Sequence, residues 1–280
     1  SFVLMLLALY TPIKCAFGTK SPNRWLMTAS FLSTIIVCLS SEQAGIALIV
    51  CLLFVCAKLL HERSHLWVYS LALLISGILS FTVSLKAPGN LTRFGAETTT
   101  WLPDFYTRSL LGHINDALRW ILEALIGHTG LILVVLWLCL TGLLYLRKKR
   151  YLIDNVLVVL FTASSALSLG RGFDVLKPWT QFHASWHTET SVLNSLVLLG
   201  VWVLALIAVP IGAVRALPDV RKRAIVVILI LCGYGTTLMM TLTPTMYASS
   251  WRSMLIPSML IATATFVATL SLWQNNRREQ

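Results

Sequence analysis

A short motif at residues 87–93 holds the residues best suited to binding a phosphate group. It reads Ala-Pro-Gly-Asn, then two further residues, then Arg93. Pro88-Gly89 predicts a turn in which glycine is free to take positive φ and Asn90 can bond its own backbone. Arginine makes bidentate contacts with phosphate, and the N–H groups of a turn favour anions. The motif therefore indicates either an anion site at Asn90 and Arg93, or a turn followed by an arginine that reaches the membrane surface.

A second group of polar residues, Trp179, His183 and His187, lies within residues 171–190. The two histidines are four positions apart, so a helix would present both on one face, a spacing compatible with metal binding. Alanine follows His183 where a zincin signature requires glutamate. Contacts with a polar substrate, or plain interfacial positions among tryptophans, are the alternatives, and no metal or other cofactor is indicated.

Arg252 follows a polar stretch and precedes the last apolar segment of the chain. A long basic side chain at such a position extends its charged end toward the headgroups while its stem stays in apolar surroundings. Arg252 is therefore interpreted either in that way or as a second phosphate contact beside Arg93.

These candidates belong to a chain whose composition is that of an integral membrane protein. Hydrophobic residues make up 57% and charged residues 12%, with mean hydropathy +0.78, whereas soluble domains carry about 25% charged residues. Lipid leaves backbone groups without partners, so the spanning segments must be helical. The net charge of +11 is attributed to membrane orientation, which argues against nucleic-acid binding. The six cysteines all lie in or beside apolar segments, so neither disulfides nor a metal site is predicted.

The predicted fold is all-α, a single polytopic transmembrane bundle over residues 1–280 with about nine spans. The spans are placed at 2–16, 25–40, 44–60, 66–85, 129–146, 151–170, 191–213, 224–242 and 253–273.

Charge asymmetry orients these spans. The basic turn 147–150 and the arginines at 277–278 are placed in the cytoplasm, and most of the 22 Lys and Arg residues then fall on that side, as the positive-inside rule expects. The C-terminus is thus predicted to be cytoplasmic, and the outer loops are 86–128, 171–190 and 243–252. Residue 1 is placed outside, and because the chain starts within an apolar run and without Met, an upstream span and its outer loop are expected.

The first outer loop contains a further predicted helix over residues 105–127. Apolar residues recur there at intervals of three and four, and charged residues share the other face. Trp101 and Trp120 suit the headgroup level. An amphipathic helix lying in the outer interface is predicted, either as a structural lid or as the entrance for a lipid substrate.

The motif of residues 87–93, together with a late outer turn carrying Tyr247 and Arg252, resembles a group of bacterial polytopic membrane proteins similar to GT-C glycosyltransferases. The resemblance covers about two-thirds of the chain. It implies an enzyme of the bacterial plasma membrane that moves a sugar from a polyprenyl-phosphate carrier to an extracytoplasmic glycan or lipid-linked acceptor. The implied partners are the lipid-linked donor and membrane lipids.

Enzymes of that class place an acidic catalytic residue in the first outer loop, which would lie upstream of residue 1. Glu97 and Asp104 are the best substitutes as a base that deprotonates the acceptor hydroxyl, although both also suit structural roles. A non-enzymatic transporter, flippase or permease subunit is the alternative function. The scarcity of ionisable residues inside the spans argues modestly against an ion-coupled transporter.

Overall fold

The computed structural model describes residues 2–17, 23–101, 106–107, 109, 118, 120–147, 150–170, 192–240 and 254–279. Within these ranges every regular element is a helix and there is no strand, which confirms the all-α prediction. The α-helices are α1 Phe2–Phe17, α2 Arg24–Ser40, α3 Glu42–His61, α4 Trp67–Leu85, α5 Pro88–Trp101, α6 Gly130–Tyr145, α7 Leu152–Leu169, α8 Val192–Ala216, α9 Val220–Met240 and α10 Leu255–Glu279. A π-helical turn, Glu123–His128, precedes α6.

Each of the nine segments predicted as spans contains a described helix, but fewer of these helices are long and apolar enough to cross a bilayer alone. Five described helices meet that requirement: α3, α4, α7, α9 and the first part of α10. A sixth is reached if the bent pair Trp120–His128 and Gly130–Tyr145 forms one span. The apolar parts of α1, α2 and α8 are shorter. The described residues therefore contain five or six apolar helices that could span a membrane, as in a multi-pass membrane protein.

The chain divides into two compact units, of which the first contains α1 to α5. Helices α2 and α3 begin at side-chain caps, since Asn23 accepts a hydrogen bond from the Trp25 N–H and Ser41 caps α3 in the same way. Between helices, Thr11 donates to the Leu26 carbonyl at 3.2 Å. Hydroxyl-to-carbonyl bonds of this kind join apolar helices that gain little from hydrophobic burial in lipid.

The second unit contains the π-helical turn and α6 to α10. Its interior holds the large side chains Trp137, Phe161 and Trp202, all fully buried. Gly212 on α8 faces the Phe161 ring on α7, and a Cβ added at this glycine would lie 2.6 Å from Phe161 Cζ. Because real Cβ atoms do not come this close, glycine is what allows α7 and α8 to pack here.

Residues 88–101 differ from the sequence prediction of a turn followed by a polar stretch. They form α5, with Pro88 as its first residue. Proline suits that position because it lacks an N–H that the helix would leave unpaired and because its φ is already helical. Gly89 is not among the residues with positive φ; the described part of the chain has no such glycine. The Pro-Gly pair therefore starts a helix.

The amphipathic helix predicted over 105–127 is described only at its end. Residues 120–128 are helical and then turn through 75° into α6. Trp120, expected at the headgroup level, is buried, as are Leu122 and Leu125. This end of the segment is thus packed against protein, and an interfacial position for the rest stays a prediction.

All six cysteines are buried thiols outside any disulfide, each within a described helix. The sequence interpretation of these residues as small apolar core residues is confirmed. Their positions are Cys15, Cys38, Cys51, Cys56, Cys139 and Cys232.

Candidate functional site

The predicted phosphate-binding residues Asn90 and Arg93 both lie in the first half of α5. The Asn90 side-chain Nδ2 donates to the Ser84 carbonyl oxygen at 2.7 Å, and its backbone N–H donates to the Ala87 carbonyl at 2.9 Å. Asn90 thus ties the start of α5 to the end of α4. Its amide is used to position the helix that carries Arg93.

Arg93 contacts two carboxylates. Its Nη2 lies 3.3 Å from Glu42 Oε1 and its Nε lies 3.6 Å from Glu97 Oε1. Glu97 is one helical turn further along α5, and Glu42 begins α3. The structure therefore brings together two residues that the sequence singled out, Arg93 and Glu97, and adds a third, Glu42. We call Glu42, Arg93 and Glu97 the acid–arginine cluster.

Exposure and charge determine what this cluster can bind. The Arg93 side chain is 49% exposed, against 22% for Glu42 and 14% for Glu97. One guanidinium between two carboxylates leaves a formal charge of −1, so the cluster is not a ready-made anion site. A phosphate can bind at the exposed part of Arg93 if it displaces one carboxylate, because both compete for the same N–H groups.

Glu42 was missed because its partner is 51 positions away in the sequence. Helices α2 and α4 run side by side in the same direction: the Tyr69 hydroxyl donates to the Met27 carbonyl near their starts, and the Ser84 hydroxyl to the Leu39 carbonyl near their ends. Since α3 begins directly after α2, its first residues lie at the end of the unit where α5 starts. The short connection between α2 and α3 makes these helices antiparallel, so the sequence already indicates that the start of α3 lies near the start of α5.

The other predicted site residues lie outside the described residues. They are Asp104, Trp179, His183, His187 and Arg252. Within the described part of the chain, no three His, Cys, Asp or Glu side chains are grouped closely enough to hold a metal ion.

A second charged group, in the second unit, was not predicted. Asp154 lies in the first turn of α7, and its side chain is 0% exposed. Arg215 Nε donates to Asp154 Oδ1 at 2.5 Å and Arg215 Nη2 to Oδ2 at 3.0 Å. The Tyr151 N–H donates to Oδ2 at 2.9 Å. We call Asp154 and Arg215 the buried ion pair.

The carboxylate is buried because three donors replace its water. A buried charge is tolerated when it is paired and its lone pairs are satisfied. Asp154 also closes the first turn of α7 as the third residue of a capping arrangement with Tyr151. Asp154 and Arg215 are 61 positions apart. The only sequence feature that indicates their contact is a carboxylate at the start of one apolar helix and an arginine at the end of another.

In comparisons with known proteins, no family model, curated protein or solved structure matches this chain. The resemblance to GT-C glycosyltransferases therefore rests on the motif and the arrangement of spans. The function is therefore inferred from the positions of the charged side chains.

Proposed function

We propose that this chain is a GT-C-like membrane glycosyltransferase that moves a sugar from a polyprenyl-phosphate donor to an extracytoplasmic glycan or lipid-linked acceptor. The supporting observation is the acid–arginine cluster, in which a half-exposed guanidinium and a carboxylate lie side by side where α5 follows an apolar helix. A phosphorylated lipid donor requires the first group, and deprotonation of an acceptor hydroxyl requires the second.

Arg93 is the proposed donor-phosphate contact. Glu42 and Glu97 hold its guanidinium in place before the donor arrives, and its exposed part remains open to a ligand. When the phosphate binds, it takes over N–H groups from Glu97, since a guanidinium offers a limited number of donors. Donor binding thereby weakens the contact between Arg93 and the Glu97 carboxylate.

Glu97 is the proposed base. The acceptor oxygen forms a bond to the anomeric carbon while the bond from that carbon to the donor phosphate oxygen breaks. The polyprenyl phosphate leaves with the bonding electrons, and the acceptor proton passes to Glu97. A general base of this kind contributes about 10²–10⁴-fold to the rate. Asp104 is the other proposed candidate for this role.

Sugar transfer in proteoliposomes tests the proposal. Arg93→Ala and Glu97→Gln should each lower the transfer rate by about 10²-fold or more. Arg93→Lys keeps the charge without the planar fork, so an intermediate rate is expected. Lys86→Ala is the matched control, because Lys86 is an exposed basic residue at the end of α4. Full transfer by the Arg93→Ala protein would remove Arg93 from the site.

Secondary roles are proposed for four site residues that lie outside the described residues. Arg252 is proposed as a second phosphate contact, and Trp179, His183 and His187 as contacts to the sugar or acceptor. The orientation proposed from the charge asymmetry places all of these residues outside the bacterial plasma membrane, with the C-terminus in the cytoplasm.

A transporter, flippase or permease subunit is the second candidate function, and the 75° bend between residues 120–128 and α6 favours it. Interrupted helices line the substrate sites of many transporters, because broken backbone is tolerated in a membrane only beside protein or water. Flipping of a fluorescent lipid-linked sugar, without chemical transfer, would distinguish this function. Under it, Gly130→Val at the bend should slow flipping, whereas Glu97→Gln should leave the rate unchanged.

A further inference from the structure

We propose that Arg147, after the end of α6, and Arg150, before the start of α7, bind the phosphate headgroup of an anionic phospholipid, with Arg147 as the main contact. The proposal concerns a lipid that the protein keeps bound, separate from the sugar donor of the proposed reaction. It rests on charge balance, on an incompletely satisfied guanidinium and on the apolar residues that flank both arginines.

The charge balance around Asp154 is positive. Arg215 takes both carboxylate oxygens, at 2.5 and 3.0 Å. Arg147 approaches the same carboxylate, but its Nη1 stays 3.7 Å from Oδ1, beyond hydrogen-bond distance. One carboxylate thus serves two arginines, and a single positive charge is left over.

Arg147 also lacks a hydrogen-bond acceptor. Its Nη1 is buried and donates to no acceptor among residues 120–147, 150–170 and the other described ranges. A buried donor without an acceptor is unfavourable, and more so when it is charged. About a third of the Arg147 side chain is nevertheless exposed, so an anion can approach this positively charged side chain from outside.

Arg150 adds a second cation that is already oriented. Its Nη2 donates to the Tyr145 carbonyl at 2.5 Å, and its Cζ lies 3.9 Å from the centre of the Tyr145 ring. The side chain is exposed. A guanidinium held on an aromatic face loses less freedom when a ligand binds.

The flanking residues favour a lipid over a soluble phosphate compound. Tyr145 and Tyr151, which flank the two arginines in the sequence, are exposed, and Leu152, the first residue of α7, is 81% exposed. Tyrosine is enriched where the bilayer meets water, and an exposed leucine beside it suits an acyl chain. Basic residues between helices at the cytoplasmic surface hold anionic headgroups in this way. The predicted orientation places both arginines there.

Native mass spectrometry of the purified full chain tests the proposal. The protein is incubated with equal amounts of phosphatidylglycerol and phosphatidylcholine, and the lipid adducts are counted. We expect the wild type to retain phosphatidylglycerol about tenfold better than phosphatidylcholine, and Arg147→Ala to lose that preference, which corresponds to one charge-assisted hydrogen bond. Arg221→Ala is the matched control, since Arg221 is an exposed arginine at the start of α9, and it should retain the preference.

Two results would overturn the proposal. Equal phosphatidylglycerol retention by the wild type and Arg147→Ala would show that Arg147 does not bind the headgroup. If inorganic phosphate at millimolar concentration displaces the lipid and itself binds in an Arg147-dependent way, the ligand is a soluble phosphate compound. Arg147→Lys checks that loss of the adduct is not a folding defect, because its charge should restore part of the preference at an unchanged melting temperature.

Discussion

The acid–arginine cluster of the first unit and the buried ion pair of the second are built from the same two kinds of group in opposite ways. In the cluster, half-exposed Arg93 lies 3.3 and 3.6 Å from two carboxylates. In the ion pair, Arg215 makes two contacts of 2.5 and 3.0 Å with Asp154, which has no exposed surface. The contacts of the cluster are long and centred on a half-exposed arginine, whereas those of the ion pair are short and centred on a fully buried carboxylate.

This difference indicates that the cluster is suited to ligand binding and the ion pair to holding helices together. Exposed ion pairs contribute about 0–1 kcal/mol, so a ligand can replace one partner at little cost. Breaking a buried pair by removing one partner costs about 3–5 kcal/mol, because it leaves an uncompensated charge. The cluster is therefore suited to exchange carboxylate for phosphate, whereas the ion pair is suited to hold α7 against α8.

Removal of the buried carboxylate should have the largest effect. Asp154→Ala leaves Arg215 without its counter-ion and the Tyr151 N–H without its acceptor. We expect a loss of unfolding free energy clearly larger than that of an exposed cap, but below the full value for a buried pair, because Arg215 is partly exposed to water. Thermal unfolding in detergent measures it. Asp219→Ala is the control, because Asp219 accepts from the Arg221 N–H as an exposed cap and its loss should cost about 1 kcal/mol. Equal melting temperatures for the two variants would contradict the distinction.

Helix packing next to the ion pair should have the second largest effect. Gly212→Ala introduces a Cβ into the Phe161 ring, and overpacking of this kind costs about 1–3 kcal/mol. Gly235→Ala, where an added Cβ meets nothing within 4 Å, should instead be neutral or stabilising by up to about 1 kcal/mol. Adding Phe161→Leu should recover part of the loss in the first variant. If it does not, the Phe161 ring is not the group that makes the added Cβ unfavourable.

The acid–arginine cluster should contribute little to stability. Glu42→Gln and Arg93→Gln should each change the unfolding free energy by less than about 1 kcal/mol, and their coupling should be about 0.2–1 kcal/mol. A double-mutant cycle followed by thermal unfolding gives that value. A coupling as large as that of Asp154 and Arg215 would make the cluster a structural support and weaken its assignment as a site.

The smallest expected effect is that of salt. Raising the ionic strength from about 0.01 to 1 M shortens the Debye length from roughly 30 to 3 Å. The coupling between Glu42 and Arg93 should then fall by more than half, because both side chains contact water. The coupling between Asp154 and Arg215 should stay nearly constant. The same double-mutant cycles, repeated at the two salt concentrations, measure both.

Hydropathy predicted where the long helices lie, because a run of apolar residues needs no knowledge of its neighbours to be recognised. Residues 88–101 were misread for a local reason: Pro-Gly fits a turn and also fits the first residues of a helix. Only the contacts made by the following residues distinguish the two. Asn90 bonding to Ser84 is such a contact, and it depends on where α4 ends.

The charged residues show which parts of the candidate site could be predicted from the sequence. Arg93 and Glu97 were identified separately, Arg93 from the motif of residues 87–93 and Glu97 as an acid of the predicted first outer loop. Their contact was not predicted, because it depends on residues 88–101 forming a helix, on which side chains four positions apart meet. The contact of Glu42 with Arg93 and that of Asp154 with Arg215 were not predicted, because each joins residues on different helices, 51 and 61 positions apart. Hydropathy fixes which segments are helical, but the rotation of each helix decides which of its polar residues meet.

The burial of every cysteine makes the orientation of this chain directly measurable. A charged maleimide does not react with thiols buried between helices, so the six native residues are expected to stay silent. One cysteine introduced at Lys86 and another at Arg150, both exposed positions, would then report which side of the membrane each faces. The wild-type protein can therefore serve as the unlabelled control in accessibility labelling, and no native cysteine has to be replaced.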